Sequence, residues 1–310
     1  KSQFATSFMA LTQILVNITD NAEKLAPLIP NCKKACDIFV ELYGKSHKNI
    51  MLSLRTLAVL MDRTGDKAKA IELNIESLAI FEQHPDGHSD PVAQSLVDAL
   101  VRLYLMTKEP EKAVVIAKKS MTEILKSCHN NPDKGPNPAL SQSICRLTQI
   151  HMSTRNWIEA EKMAKLHLVE CKKLTGAEMH PLVGTGHLLL AETLIGKEDY
   201  GSEPESQLDS AMKCFSSGKT GVQPPEIAVR IQQAEDLKTH LIKRRSGDKS
   251  PRVSSPAVGK KSKPILLTPE IKKKILQDAS SAKTCAQAGT LVGRAEQMYK
   301  AEEYVLAQAL

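Results

Sequence analysis

The sequence predicts an all-α protein in which antiparallel helix pairs stack into an α-solenoid. Two registers of residues support this prediction. Prolines in polar surroundings recur at intervals of 47, 43 and 44 residues, at Pro91, Pro138, Pro181 and Pro225. Three alanines and one glutamine recur at intervals of 43, 47 and 47 residues, at Ala70, Ala113, Ala160 and Gln207. Periods of this length are typical of stacked repeats, in which each unit buries its apolar face against its neighbours.

Each proline is predicted to begin the first helix of a pair (helix A), which a tight turn connects to the second (helix B). Proline suits the first helical position because its missing N–H would be unpaired there. Asp90 and Asn137 precede prolines and can cap helix A. The second period shows the plan, with helix A at 92–106, a turn at 107–110 and helix B at 111–126. Twelve residues before the first three alanines stand small or branched residues, which let the two helices approach closely: Ala58, Val101 and Thr148.

The chain is expected to begin with a degenerate helical hairpin at 1–47. Pro27 and Pro30 interrupt it, so we expect its helix B to start near Asn31. The repeat array follows at 48–225. Its fourth period is irregular, because Gln207 replaces the alanine and 200–204 resembles an insertion.

Several residues in these periods resemble the tetratricopeptide repeat (TPR), which has a large apolar residue before a small one in helix A, an aromatic near the turn and alanine in helix B. The matching residues are Leu57, Ala58, Gly65 and Ala70, then Val101, Tyr104 and Ala113, then Trp157 and Ala160, then Leu190 and Ala191. The standard repeat has 34 residues. The longer periods here, with a Gly/His/Pro turn after helix B, resemble the kinesin light chain subclass. The resemblance implies a right-handed superhelix that acts as a non-catalytic scaffold or adaptor, cargo- or motor-linked.

Composition limits the other classes of function. Aromatic residues make up only 4% of the chain, and no apolar run approaches the roughly 18 residues of a membrane helix, so no membrane insertion is expected. Seven scattered cysteines indicate free thiols and a reducing, cytoplasmic location. The scattered histidines and the isolated Cys32–Cys36 pair form no metal or catalytic pattern. We therefore expect no enzyme activity, metal or cofactor.

The basic charge is concentrated in one segment. Residues 243–264 contain eight Lys/Arg and one Asp, a net charge of +7 that equals that of the whole chain. The remaining residues are formally neutral, so the folded array is not expected to bind nucleic acid. We interpret 226–244 as a capping helix, 245–264 as a basic disordered linker and 265–310 as a helical tail with a partial repeat.

The linker and tail suggest alternative functions. Two basic clusters in the linker resemble a bipartite import signal, which would fit a nuclear-shuttling assembly factor, although a solvated linker has the same composition. The tail could instead fill the groove of a second copy in a self-associating structural protein. Three residues followed by proline are phosphorylation candidates: Ser250, Ser255 and Thr268.

The TPR resemblance also implies a concave groove lined by helix A. The candidate groove residues are Arg55, Val59, Asp62, Asp98, Arg102, Leu105, Gln142, Arg146, Gln149 and Glu192. The three arginines could form a ladder that binds carboxylates, with apolar pockets from Leu105, Met152 and Leu188. Alternatively, they pair with Asp62, Asp98 and Glu192. The expected partner is a protein that presents an extended peptide with acidic and apolar residues.

Overall fold

The computed structural model describes residues 2–19, 21–83, 87–131, 135–217 and 225–246. These residues form helices joined by short connections, with no strand among them, which confirms the predicted all-α solenoid class. They belong to two compact units, residues 2–87 and 88–246. The predicted linker beyond Ser246, the predicted tail at 265–310 and the candidates Ser250, Ser255 and Thr268 lie outside the described residues.

The first unit contains two helix pairs. Its helices are α1 (Ser2–Ile18), α2 (Ala22–Leu25), α3 (Ile29–Tyr43), α4 (Lys48–Thr64) and α5 (Lys67–Phe81). Helix α1 packs on α3, α3 on α4, and α4 on α5. Helix α3 begins two residues before Asn31 because Pro30 lies in its first turn, where proline is tolerated.

The second unit continues the alternation of helices A and B. Its helices are α6 (Pro91–Met106), α7 (Pro110–Asn130), α8 (Pro138–Ser153), α9 (Trp157–Thr175), α10 (Pro181–Gly196), α11 (Ser202–Ser216) and α12 (Pro225–Arg245). The even-numbered helices are A helices, and α7, α9 and α11 are B helices. Each packs on the helix that follows it. Helix α12 includes Arg245, which the sequence analysis assigned to the linker.

Side-chain caps begin the A helices as expected. The Asp90 carboxylate accepts from the Val92 N–H at 2.7 Å, and the Asn137 side-chain oxygen accepts from the Ala139 N–H at 2.9 Å. The sequence analysis missed the two histidine caps. His47 and His180 each accept, through Nδ1, a backbone N–H two residues later, at 3.2 and 3.1 Å.

The four turns that follow α4, α6, α8 and α10 share one backbone hydrogen-bond pattern. One residue of the turn has a positive φ, and the next N–H donates to a carbonyl five residues earlier, which closes the helix. Glycine takes the left-handed position only once, and the other three residues occupy a conformation that costs about 1 kcal/mol or more outside glycine. The four residues are Gly65, Lys108, Arg155 and Glu198.

The B helices share a buried face with spacings of 4, 3 and 4 residues. In α5, α7 and α9 this face begins at Ala70, Ala113 and Ala160. In α11 it comprises Pro204, Leu208, Ala211 and Phe215. The structure therefore places Pro204, and not Gln207, at the position of the alanine. Gln207 is half-buried, and its Oε1 lies 2.6 Å from Nδ1 of His187.

The A helices α4, α6, α8, α10 and α12 each carry one fully buried small or branched residue at an equivalent position. These residues are Ala58, Val101, Thr148, Ala191 and Ala234. Ala234 follows Ala191 by 43 residues, so α12 takes the place of the next helix A. At the end of α10, Gly196 faces the Trp157 ring: a Cβ at Gly196 would lie 2.4 Å from it.

Candidate protein-binding groove

An open groove lies between α6 and α8 in the second unit. Its volume is about 470 Å³. The groove is lined by Ser95, Asp98, Ala99, Arg102, Gln142, Cys145, Arg146 and Gln149. Five of the candidate groove residues are therefore brought together here, on the two consecutive A helices that the sequence analysis aligned.

All three nitrogens of the Arg146 guanidinium donate hydrogen bonds to other groups of the protein. Its side chain is only 3% exposed, and Nε donates to the Asp98 carboxylate at 2.5 Å. Nη1 and Nη2 donate to the side-chain oxygen of Gln94 at 3.1 and 3.2 Å, and Nη2 also donates to the Gln94 carbonyl at 3.3 Å. Arg146 thus ties α8 to α6.

Gln94 is the buried centre of this network, and the sequence analysis missed it. Besides Arg146, its Oε1 accepts from the Ser143 hydroxyl at 3.3 Å. Its Nε2 donates to the Ser120 hydroxyl at 3.2 Å and to the His88 carbonyl. One amide therefore connects α6, α7 and α8. The sequence offered one weak signal: Gln94 stands seven residues before Val101, whereas Met51 stands at the equivalent position before Ala58.

The groove surface is formed by polar side chains that remain partly open to solvent. Asp98 is 48% exposed and also accepts from Gln142 Nε2 at 3.2 Å. Arg102 and Gln149 are half-buried. The Arg102 Nη1 lies 3.5 Å from the sulfur of Met106, which is 52% exposed. Arg102 is therefore the arginine that lies at the groove surface.

Two of the three side chains that were predicted to form apolar pockets are buried. Met152 is buried against Ala160 and Leu189. Leu188 is 1% exposed, in a cluster that α12 completes through Ala234, Leu237 and Leu241. Leu105 is half-buried. The prediction of apolar pockets at Met152 and Leu188 is therefore wrong, because neighbouring helices cover both side chains.

Helix α12 also covers Glu192. The Gln233 side-chain amide donates to the Glu192 carboxyl group, and Arg230 lies near it. Burial raises the pKa of Glu192 to about 7, although the Gln233 hydrogen bond and the Arg230 charge act in the opposite direction. Across from it on α8, burial raises the pKa of the Cys145 thiol to about 12.

The remaining candidate groove residues lie in the first unit. Arg55, Val59 and Asp62 are on α4, and all three side chains are half-buried.

A cluster of potentially nucleophilic groups lies inside the second unit. The Ser141 hydroxyl is 3.3 Å from His167 Nδ1, and the Cys171 sulfur is 3.5 Å from His167 Nε2. Burial raises the pKa of the thiol and lowers that of the imidazole, so both groups are neutral. All three side chains are buried, and the cluster joins α8 to α9 rather than facing a substrate.

The described ranges contain no group of three or more His, Cys, Asp or Glu residues arranged to hold a metal ion. None of the helices in those ranges has the length and apolar character needed to cross a membrane.

The repeated helix pairs, left-handed turns and buried small residues define a TPR-like protein of the α-solenoid class. Neither a protein-family model nor a curated protein sequence matches the chain. Solved structures do resemble it. A protein assigned as a kinesin light chain from Podospora anserina, with nearly identical TPR-like repeats, has a TM-score of 0.54 and 14% identity, over 71% of this chain and 99% of that one.

Two further solved structures are similar. A variant of the same Podospora anserina protein, with one substitution, has a TM-score of 0.52 and 15% identity, over 69% of this chain and 95% of its own. BtubC (BKLC) from P. vanneervenii has a TM-score of 0.50 and 18% identity, over 77% of this chain and 99% of that one. Because the sequence identities are this low, the comparison shows similarity of fold only. At the level of the fold, the resemblance to kinesin light chain repeats is confirmed.

Proposed function

We propose that this protein is a non-catalytic scaffold or adaptor that binds an extended segment of a protein partner in the groove between α6 and α8. The observation that carries the proposal is the groove itself, which is open, lined mostly by polar residue types and built from two consecutive A helices. TPR-like neighbours support a role in protein interaction. The assignment of the Podospora anserina neighbour as a kinesin light chain favours a cargo- or motor-linked adaptor.

The groove chemistry favours a peptide that carries a carboxylate and an apolar side chain. Arg102 can bind a carboxylate through two parallel hydrogen bonds. Gln149 and the exposed edge of Asp98 can bond the N–H and C=O groups of an extended backbone. Leu105 and the exposed Met106 offer apolar contact beside Arg102. Arg146 has a different role, because its donors already bond Asp98 and Gln94.

The arrangement of the reactive groups supports a non-catalytic role. Nucleophilic catalysis needs an accessible nucleophile beside a base. The Ser141, His167 and Cys171 cluster is buried and neutral. In the groove, the raised pKa of Cys145 keeps its thiol protonated.

A charge reversal at Arg102 tests the proposal. Arg102→Glu should lose one set of partners in affinity capture from cell extract, because the groove would repel a carboxylate. Arg155→Glu is the matched control: it makes the same charge change on an exposed turn, where Glu198 already occupies the equivalent position. Circular dichroism must show that both variants keep their helices. Identical partner sets for wild type and both variants would contradict the proposal.

We further propose a cytoplasmic location. The six cysteines of the described residues are free thiols, as expected in a reducing compartment. Nuclear import through the basic segment is the alternative. Its test should delete 247–264 and leave Arg245 in place, because Arg245 donates to the Tyr200 carbonyl at 2.7 Å and to the Glu205 carboxylate at 2.5 Å. Unchanged localisation of the deletion variant would rule out import through the bipartite signal, because the second basic cluster, at 260–263, is removed.

A further inference from the structure

Helix α1 is a helix A in the same register as the helices that follow it. Leu15–Val16 of α1 corresponds to Leu57–Ala58 of α4, because in both a leucine precedes a buried small or branched residue. The contact between the two helices agrees with this alignment, since Thr56 Oγ1 lies 3.4 Å from Gln13 Oε1. These residues stand two and three before the buried residue of their helices, as the two residues of the α6–α8 ion pair do.

In α10, one face receives the helix B that precedes it. Gly186, five residues before Ala191, faces Leu168 of α9, and a Cβ at Gly186 would lie 3.0 Å from that side chain. Leu190, one residue before Ala191, packs in a cluster with Ala164 of α9. The positions five and one before the buried small residue therefore mark the face that a preceding helix B covers.

The same face of α1 is apolar and buried, although no described helix precedes α1. Leu11 and Leu15, five and one residues before the buried valine, are both 0% exposed. Phe8 is 1% exposed and stands where Leu140 of α8 packs with Ile124 of the preceding α7. Phe8, Leu11 and Leu15 together form the α1 apolar face.

The repeat geometry places neither of the helices that pack on α1 over this face. Helix α1 packs on α3, its own helix B, and on α4, the next helix A, while the short α2 packs on α4. In α10 the equivalent neighbours, α11 and α12, meet a different face, the one that carries Leu188 and Ala191. The cover of the α1 apolar face is therefore to be sought outside the described residues.

One segment of the chain has the length and the pattern to provide this cover. Of the ranges outside the described residues, 247–310 is the one longer than seven residues. Four residues in it, at 288, 292, 295 and 299, have the 4, 3, 4 spacing of the buried face of a helix B and end on an aromatic, as α11 does at Phe215. Six apolar residues would share this side of a helix: Ala288, Leu291, Val292, Ala295, Met298 and Tyr299.

We propose that residues 286–302 form a helix that docks on the α1 apolar face of the same chain, in the place of a preceding helix B. The opposite side of this helix would be polar, with Thr290 and Gln297, as the outer face of a terminal unit in a repeat array must be. The α1 apolar face is buried within a single chain, which favours the chain's own segment over that of a second copy. The docked helix closes the first unit at α1.

Hydrogen exchange measured by mass spectrometry on the full chain tests the docking. Val292→Asp combined with Tyr299→Asp places two charges in the apolar contact, so the protection of α1 amides should fall at least about tenfold. Thr290→Asp combined with Gln297→Asp is the matched control, because it adds the same two charges at the same spacing on the opposite side of the helix. The control should leave the protection of α1 unchanged, and neither variant should alter protection in α8 and α9.

Equal protection of α1 in the wild type and in the first double variant would overturn the proposal, as would an equal loss in both double variants. Two protein concentrations about a hundredfold apart identify the source of the helix, because docking within one chain does not depend on concentration. Protection of α1 that rises with concentration would overturn the assignment to the same chain in favour of a second copy. The experiment involves no partner, so its outcome is independent of the proposed function.

Discussion

Two contacts between consecutive A helices of the second unit differ at equivalent positions. Each contact pairs the residue three before the buried small residue of one helix with the residue two before it on the next helix. Between α6 and α8 these residues are Asp98 and Arg146. Between α8 and α10 they are Cys145 and Leu189. The α6–α8 contact is therefore an ion pair. At the α8–α10 contact, Cys145 packs against the cluster that contains Leu189.

The difference shows how one repeat geometry makes either an open groove or a closed contact. Charged partners at α6–α8 keep Asp98 half in solvent and leave room beside it. The apolar side chains at the α8–α10 contact pack against each other, because burial of apolar surface away from water is favourable. The side chains at these two positions therefore decide where the groove is open, although the helices pack in the same order.

The largest change in stability at these contacts should come from removing Asp98, the acidic residue of the ion pair. Asp98→Ala should lower the free energy of unfolding by about 2–3 kcal/mol, because it leaves the buried Arg146 charge without its carboxylate. The exposure of Asp98 keeps the loss below that of a fully buried pair. Denaturant unfolding measures the change.

The double variant Asp98→Ala with Arg146→Leu is the matched control, since it converts the pair to apolar side chains like those at α8–α10. It should recover most of the lost stability. A double variant no more stable than Asp98→Ala alone would show that Arg146 stabilises the contact through Gln94 and not through the pair.

A smaller, pH-dependent effect should appear at the next contact, between α10 and α12. Glu192→Gln should be more stable than the wild type by about 1–2 kcal/mol at about pH 8.5, and nearly equal to it at about pH 4.5. Partial burial beneath α12 raises the pKa of the half-buried Glu192 carboxyl group to about 7, so its ionisation penalises only the wild type at high pH. Unfolding curves at both pH values decide it, and a constant difference would contradict the burial argument.

The smallest effect should come from the turn between α8 and α9, which belongs to neither contact. Arg155 has a φ of 58°, so Arg155→Gly should stabilise the protein by up to about 1 kcal/mol through relief of strain. Gly65→Ala, at the equivalent turn of the first unit, should destabilise it by a similar amount. Thermal unfolding checks both; destabilisation by Arg155→Gly would mean that its side chain has a structural role.

The helices and their starts were predictable because they depend on local chemistry. Proline and its cap residue act within one turn, so Pro91, Pro138 and Pro181 begin helices as expected. The histidine caps were missed because histidine is not among the usual cap residues. The 43-residue step from Ala191 to Ala234 was present in the sequence and could have assigned α12 as the next helix A.

The pairing of the groove residues was less predictable, because it depends on contacts between residues about 50 positions apart, such as Arg146 and Gln94. The order of the residues indicated a face but did not show that Arg146 would turn towards Gln94. One signal was available. Arg55, Arg102 and Arg146 stand three before, one after and two before the buried residue of their helices. Residues at three different positions of the repeat are not equivalent, so no regular ladder should have been expected.

The close approach of Gly196 to Trp157 limits the substitutions that these two positions can accept during evolution. Any side chain at 196 would collide with the indole ring, whose nearest atom would lie 2.4 Å from a Cβ there. Neither position can therefore accept every substitution independently. Among descendants of this chain, a larger residue at 196 should be found together with a smaller one at 157, so that the two sites covary although they lie 39 positions apart in the sequence.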